Sequence, residues 1–181
     1  HKMNGDLEAA NSEISHLNEQ LASENVRLGA EIEVARQIQM MVLPTQNELG
    51  EIDQLEVAAF MEPADEVGGD YYDVLQLGDR VKIGIGDVTG HGLESGVLML
   101  IVQSVAVALQ EQGPSDPKQF LVALNNAICR NIKRTKTDKH LTLCFLDIEH
   151  DKLTLTGQHE ELILLRRSGA VETGPGALQL P

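Results

Sequence analysis

The sequence predicts an α+β domain with a largely antiparallel sheet, preceded by one long coiled-coil helix. Three observations predict it. Apolar residues recur at every seventh position from Leu7 to Val42. Strand-like pairs are followed by two long helical runs and then by further strand-like pairs. Two aspartates, Asp70 and Asp87, sit in glycine-rich turns where strands end. With 181 residues, the chain holds one domain with a sizeable core plus an appendage.

Residues 5–42 contain no proline, and Leu7, Ile14, Leu21, Leu28, Ala35 and Val42 form one seam position. The second seam position stays open. Ala10, Leu17, Glu24, Glu31 and Ile38 fill it in one register, and Asn11, Asn18, Asn25, Ile32 and Gln39 in the other. Asn at a seam costs stability but specifies register and favours parallel dimers, so a homodimer is expected rather than one amphipathic helix lying on its own domain. Two near-degenerate packings would let an upstream sensor domain act through the helix; the alternative is a passive tether. His1-Lys2-Met3 reads as a cloning remnant. Pro44 stops the helix, and Thr45 to Asp53 reads as a polar linker. That sets the boundary between a coiled-coil helix at 1–44 and a globular domain at 45–181.

Leu55 to Met61 is the first predicted strand. Tyr72–Leu77 and Val81–Ile85 flank Gly78-Asp79 as a hairpin. Leu93 to Gln110 is apolar on most sides and reads as a buried helix. Ser115-Asp116-Pro117 opens a second helix running to about Ile132, with a capping residue before a first-turn proline. Lys133 to Lys139 (KRTKTDK) reads as a solvated basic connection rather than a phosphate-binding patch. Leu141–Ile148 and Lys152–Thr156 form a second hairpin around Glu149-His150-Asp151, and Leu162–Arg166 and Ala170–Glu172 a third around Ser168-Gly169.

Charge and composition exclude several function classes. A net charge of −14 opposes binding to nucleic acid or anionic membrane, and with three Phe, two Tyr and no Trp there is little on which bases would stack. No run approaches ~18 uninterrupted apolar residues, so no membrane insertion is expected. No charged-then-apolar leader is present. Cys129 and Cys144 are too few for a disulfide framework or a zinc site and read as small buried hydrophobes, with a reducing cytoplasm as the expected compartment.

The chemistry points to EVGGDYYD (Glu66 to Asp73) and IGDVTGHG (Ile85 to Gly92). Asp is favoured in ordinary turns for its own side-chain hydrogen bonds. Two such turns together, each at the end of a strand, favour a site for a hard divalent cation, which takes carboxylate, carbonyl and water oxygens. Glycines beside the ligands let backbone carbonyls approach closely. Asp73 and Glu66 are weaker candidate ligands. His91 carries the side chain that titrates near neutrality and is a candidate proton donor to a leaving group, or else a histidine that bonds its own loop. No nucleophile motif or phosphate-binding P-loop is present.

PADEVGGDYYD followed by IGDVTGHGLESGVLM resembles the bacterial PPM-type serine/threonine phosphatases of the SpoIIE and RsbU kind. ARQIQMMVLP (Ala35 to Pro44) and LTGQHEELILLRRSGAV (Leu155 to Val171) extend the likeness over about residues 35–181. The resemblance implies a β-sandwich flanked by helices, with two Mn²⁺ or Mg²⁺ ions in the complete domain. It makes Asp87 the bridging ligand, the Val88 carbonyl a backbone ligand and Asp70 a ligand of the second ion. The implied substrate is phosphoserine or phosphothreonine on a regulatory protein of the anti-sigma-factor-antagonist type. His159 falls where the family shows a Gly-His pair, here interrupted by Gln158, and reads as structural.

The family's later metal-binding aspartates have no counterpart here, since no Asp follows Asp151. Gly174 to Pro181 reads as mid-domain sequence, so a fragment is expected rather than an inactive chain. The competing function is a non-catalytic dimeric binding module with a degenerate phosphatase fold. A calcium-binding domain is disfavoured, because no EF-hand ligand spacing exists.

Overall fold

A computed structural model describes the chain apart from residues 1, 54, 63–66, 114–115, 151, 175–176 and 180–181, and apart from the side chains of 2–4, 6–9 and 177–179. Glu66 and Ser115 therefore lie outside the described residues, as does the Leu7 side chain.

The proline-free N-terminal run forms α1, Lys2–Met41. Only its last two turns meet the globular part. Gln39 is buried, and Ala35, Arg36 and Val42 are half-buried, while Ile14, Leu21 and Leu28 are 47–60% exposed. Ion pairs of Arg27 with Glu24 and Glu31, and of Arg36 with Glu33, run along the helix. Such exposed pairs contribute little.

The stretch expected to be a polar linker instead carries α2, Gln46–Gly50. Thr45 and Glu48 cap it reciprocally: the Glu48 amide donates to Thr45 Oγ1 at 3.3 Å and the Thr45 amide to Glu48 Oε2 at 2.7 Å. Leu49 and Ile52 are buried, which seats the segment on the domain. Leu55–Met61, expected as a strand, pairs with no strand among the described residues. Leu55 and Val57 pack on one end of the sheet while Phe60 is 84% exposed.

The main sheet is an antiparallel meander closed by a late strand. Its strands are β1 (Asp70–Leu77), β2 (Arg80–Val88), β3 (Leu141–Glu149), β4 (Lys152–Gln158) and, beyond a short hairpin, β7 (Ala177–Gln179), in that spatial order. β7 had no counterpart among the predicted strands. The hairpin of β5 (Ile163–Leu165) and β6 (Val171–Thr173) forms a separate two-stranded sheet. Among the described residues this pair contains the only strands outside the main sheet, fewer than the second sheet of the expected sandwich.

Between β2 and β3 the chain forms α3 (Leu93–Glu111) and α4 (Pro117–Thr135). Asp116 caps α4 by accepting from the Gln119 amide at 3.0 Å. By length and composition α3 is apolar enough to cross a membrane. In this fold it is the core helix: Leu98, Met99, Val102 and Ala106 join Tyr71, Phe120, Leu124 and Phe145 in one cluster. Lys82 extends from β2 beneath α4, paired with Asp147 and with its ammonium 4.4 Å from the Phe120 ring centre. Cys144 is buried as expected, whereas Cys129 lies on the exposed face of α4.

Candidate metal centre

Alternation along the strands decides which side chains share a face. On β2, Lys82, Gly84, Gly86 and Val88 face the helices, and Ile83, Ile85 and Asp87 face the other way. Asp70 on β1 lies directly opposite Asp87, and Thr142 on β3 opposite Asp87 from the other side. One end of the helix-free face therefore carries a row: Asp70, Asp87, Thr142. His159, just past β4, extends it, with its Nδ1 2.8 Å from Thr142 Oγ1.

The turns aim backbone oxygens at the same spot. The Val88 amide donates to the Gly69 carbonyl at 3.1 Å, which draws the two Gly-Asp motifs together. A Cβ on Gly69 would lie 2.3 Å from the Val88 carbonyl oxygen and 3.0 Å from Asp87 Oδ1. Both oxygens thus flank one small gap that only glycine leaves open. Burial pushes the Asp87 carboxyl above the ordinary carboxylate range, and the Asp70 charge pushes it further; His159 and the Val88 amide pull it back. Two carboxylates that repel each other beside a backbone carbonyl form a hard-oxygen donor set that a divalent cation relieves. Asp70, Asp87 and the Val88 carbonyl fit such an ion. Among the described residues, no group of three or more Asp, Glu, His or Cys forms a fuller cluster.

The other predicted residues fall elsewhere. Asp73, three positions from Asp70, lies on the helix face opposite Gly84 and is only 3% exposed, so it does not join the pair. It lines a cavity of about 530 Å³ with Glu48, Gln103 and the α1–α2 elbow. Burial raises its carboxyl to about 6, and its Oδ2 has no hydrogen-bond partner. His91 sits exposed in the turn between β2 and α3. His159, expected to be structural, stands near enough to Asp87 to act on its charge, a placement that its local sequence did not disclose.

Gln39 is the second residue whose place the sequence did not disclose. Seven-residue spacing assigned it to the alternative seam. In the fold it is 2% exposed, and its Nε2 donates to the Gly68 carbonyl at 2.8 Å. The last turn of α1 thereby grips the loop that leads into Asp70. Val67 holds the same loop from the other side, its carbonyl accepting from the Gly92 amide at 2.8 Å.

Comparison with known proteins follows the same outline. The family described as Stage II sporulation protein E (SpoIIE) matches residues 78–181. Phosphoserine phosphatase RsbU of Bacillus subtilis is 28% identical over 127 residues, covering 70% of this chain and 36% of that protein. Protein IcfG of Synechocystis is 40% identical over 76 residues, covering 41% of this chain and 12% of that protein. The chain thus spans about a third or less of the length of these relatives. Among solved structures, the SiaA-PP2C domain of Pseudomonas aeruginosa superposes with a TM-score of 0.66 at 18% identity, covering 88% of this chain and 70% of that one. The RsbU and RsbW domains of Rv1364c from Mycobacterium tuberculosis give 0.50 at 24% identity, covering 60% and 30%. These structures share the fold of this chain, an α+β arrangement of helices and antiparallel sheet. With the family match running over more than half of its length and through the Asp87 turn, the chain belongs to the SpoIIE family.

Proposed function

We propose that this chain is the phosphatase portion of a metal-dependent protein serine/threonine phosphatase. The substrate is phosphoserine or phosphothreonine on a regulatory protein, and the N-terminal helix controls the activity. The observation that carries this reading is the Asp70–Asp87 pair, face to face across the β1–β2 ladder with the Val88 carbonyl beside it. Family membership supports it, as does the phosphoserine phosphatase among the relatives.

Asp70, Asp87 and the Val88 carbonyl would hold Mn²⁺ or Mg²⁺. When bound, such ions supply charge neutralisation for the phosphoryl group and acidify water. The chain's own residues do the positioning. The β1–β2 ladder fixes both carboxylates, Gly69 keeps open the gap beside Asp87 and the Val88 carbonyl, and Thr142 orients the His159 imidazole at the end of the row. Proton donation to the leaving oxygen falls to His159 or His91, both imidazoles at this edge of the sheet. We place the enzyme in the cytoplasm, dimeric through α1 and downstream of a sensor domain.

In the full-length protein, Asp87→Asn is expected to abolish Mn²⁺-dependent phosphate release from a phosphoserine peptide. Removing the like-charge repulsion should leave the metal-free fold as stable as the parent or more so, by thermal melting. Retained turnover would remove Asp87 from the site. A parent protein that binds Mn²⁺ but releases no phosphate would favour the binding-module alternative.

A further inference from the structure

The basic stretch Lys133 to Lys139 is largely solvated, as its composition suggests, but its last lysine is not. α4 continues through Thr135, and the chain then turns back so that its last lysine meets the Asp87 turn. Thr89, two residues beyond Asp87, is stapled to this segment three times. Its amide donates to the His140 carbonyl at 2.8 Å, its Oγ1 accepts from the His140 amide at 3.0 Å, and its carbonyl accepts from Lys139 Nζ at 3.1 Å. Lys139 is half-buried as a residue, and its ammonium lies over Gly90, whose φ of +75° and missing side chain leave room for it; a Cβ there would lie 3.0 Å from Nζ.

This geometry leaves a fixed cation with spare donors. An ammonium has three N–H donors, and the bond to Thr89 is the one that Lys139 makes among the described residues. Thr89 lies two residues beyond Asp87 and just past the end of β2, so their Cα atoms are at most about 7 Å apart. The surroundings are otherwise acidic: Asp70 lines one cavity with Glu160 and Glu161, Asp87 lies opposite Asp70 in the ladder, and the whole chain carries −14. A doubly charged phosphate approaching such an edge is repelled, and a lysine held as a point charge is a standard counter to that repulsion.

We propose that Lys139 anchors the phosphate of the substrate, its ammonium contacting phosphoryl oxygens of a phosphoserine or phosphothreonine placed at the Asp70–Asp87 pair. The proposal rests on the phosphatase reading above. A lysine that merely ties the turn together is the competing role, and glutamine separates the two: it keeps a donor for the Thr89 carbonyl and loses the charge.

The experiment uses the full-length protein with Mn²⁺, a phosphoserine peptide as substrate, and inorganic phosphate as a binding probe read by thermal shift. For Lys139→Gln and Lys139→Met we expect KM to rise about tenfold, the worth of one charge-assisted contact, with a smaller fall in kcat. The thermal shift by inorganic phosphate should vanish in both, with melting of the glutamine variant otherwise parental. Lys139→Arg should recover most of the KM. A parental KM and phosphate response in Lys139→Gln would overturn the anchor, as would a parent that shows no phosphate-induced shift. If the parent releases no phosphate at all, the phosphatase reading fails. The anchor is then decided by the thermal shift alone: lost in Lys139→Gln it stands, retained it falls.

Discussion

Asp73 is the residue whose chemistry departs furthest from its sequence context. It accepts from the Val74 amide at 2.9 Å and Gln103 also favours its charged form, yet burial outweighs them and the nearby Glu48 charge adds to the cost. With a folded pKa of about 6 against an ordinary 3.8, the sign is fixed. Below the unfolded value both states are protonated and Asp73 costs nothing. As pH rises towards 6, the unfolded chain releases the proton first and stability falls, and above 6 the loss stays constant. Asp73→Asn should therefore stabilise the protein at pH 7 by up to about 3 kcal/mol and flatten the pH 4–6 slope, read by urea unfolding at several pH values. An unchanged slope would show that another group carries it. Asp70 and Asp73 being three apart, the parity of a strand already sends them to opposite faces. What the sequence concealed was the depth of burial, because that depends on α3 and the α1–α2 elbow closing over the residue.

Gln39 shows how one element reaches another. α1 was legible as a helix from its lack of proline and its seven-residue spacing, but the spacing describes a surface without naming what covers it. The middle turns present Ile14 and Leu21 to solvent, whereas the last two turn Ala35 and Gln39 onto the domain, with Val42 just after them. A buried amide with its Oε1 unsatisfied costs stability, and the bond to the Gly68 carbonyl works against that cost. Gln39→Ala should release the Gly68–Gly69 loop and weaken Mn²⁺ binding several-fold by calorimetry, with little change in stability because the lost bond and the relieved Oε1 oppose each other. Mn²⁺ affinity equal to the parent's would mean that α1 does not reach the Asp70 loop through this contact. The same logic explains α2. Its Thr45-x-x-Glu48 capping box is a local signal present in the sequence, while the burial of Leu49 that makes it part of the domain is not.

At the scale of the whole molecule, α1 leaves its upper seam without a partner, and exposed Leu and Ile at seven-residue intervals are what a second copy would cover. The chain should scatter as a dimer at micromolar concentration, and Leu21→Glu with Leu28→Glu should make it monomeric without unfolding the sheet. A monomeric parent would reject the seam as a dimer contact. The sequence by itself determined the elements whose signals are local: the long helix, the β1–β2 and β3–β4 hairpins with their turn residues, the capped start of α4, and the two glycine-Asp turns. Their alternation and spacing are properties of neighbouring residues, so no distant contact was needed to see them. Tertiary structure decided the rest. Leu55–Met61 reads as a strand but found no edge to pair with. His159 and Lys139, 72 and 52 positions after Asp87 by numbering (159 − 87 and 139 − 87), met its turn only because β3 and β4 fold back along β2. Which polar side chains gather at one sheet end depends on strand order and register, and those are set by the packing of the whole core rather than by any stretch of sequence within it.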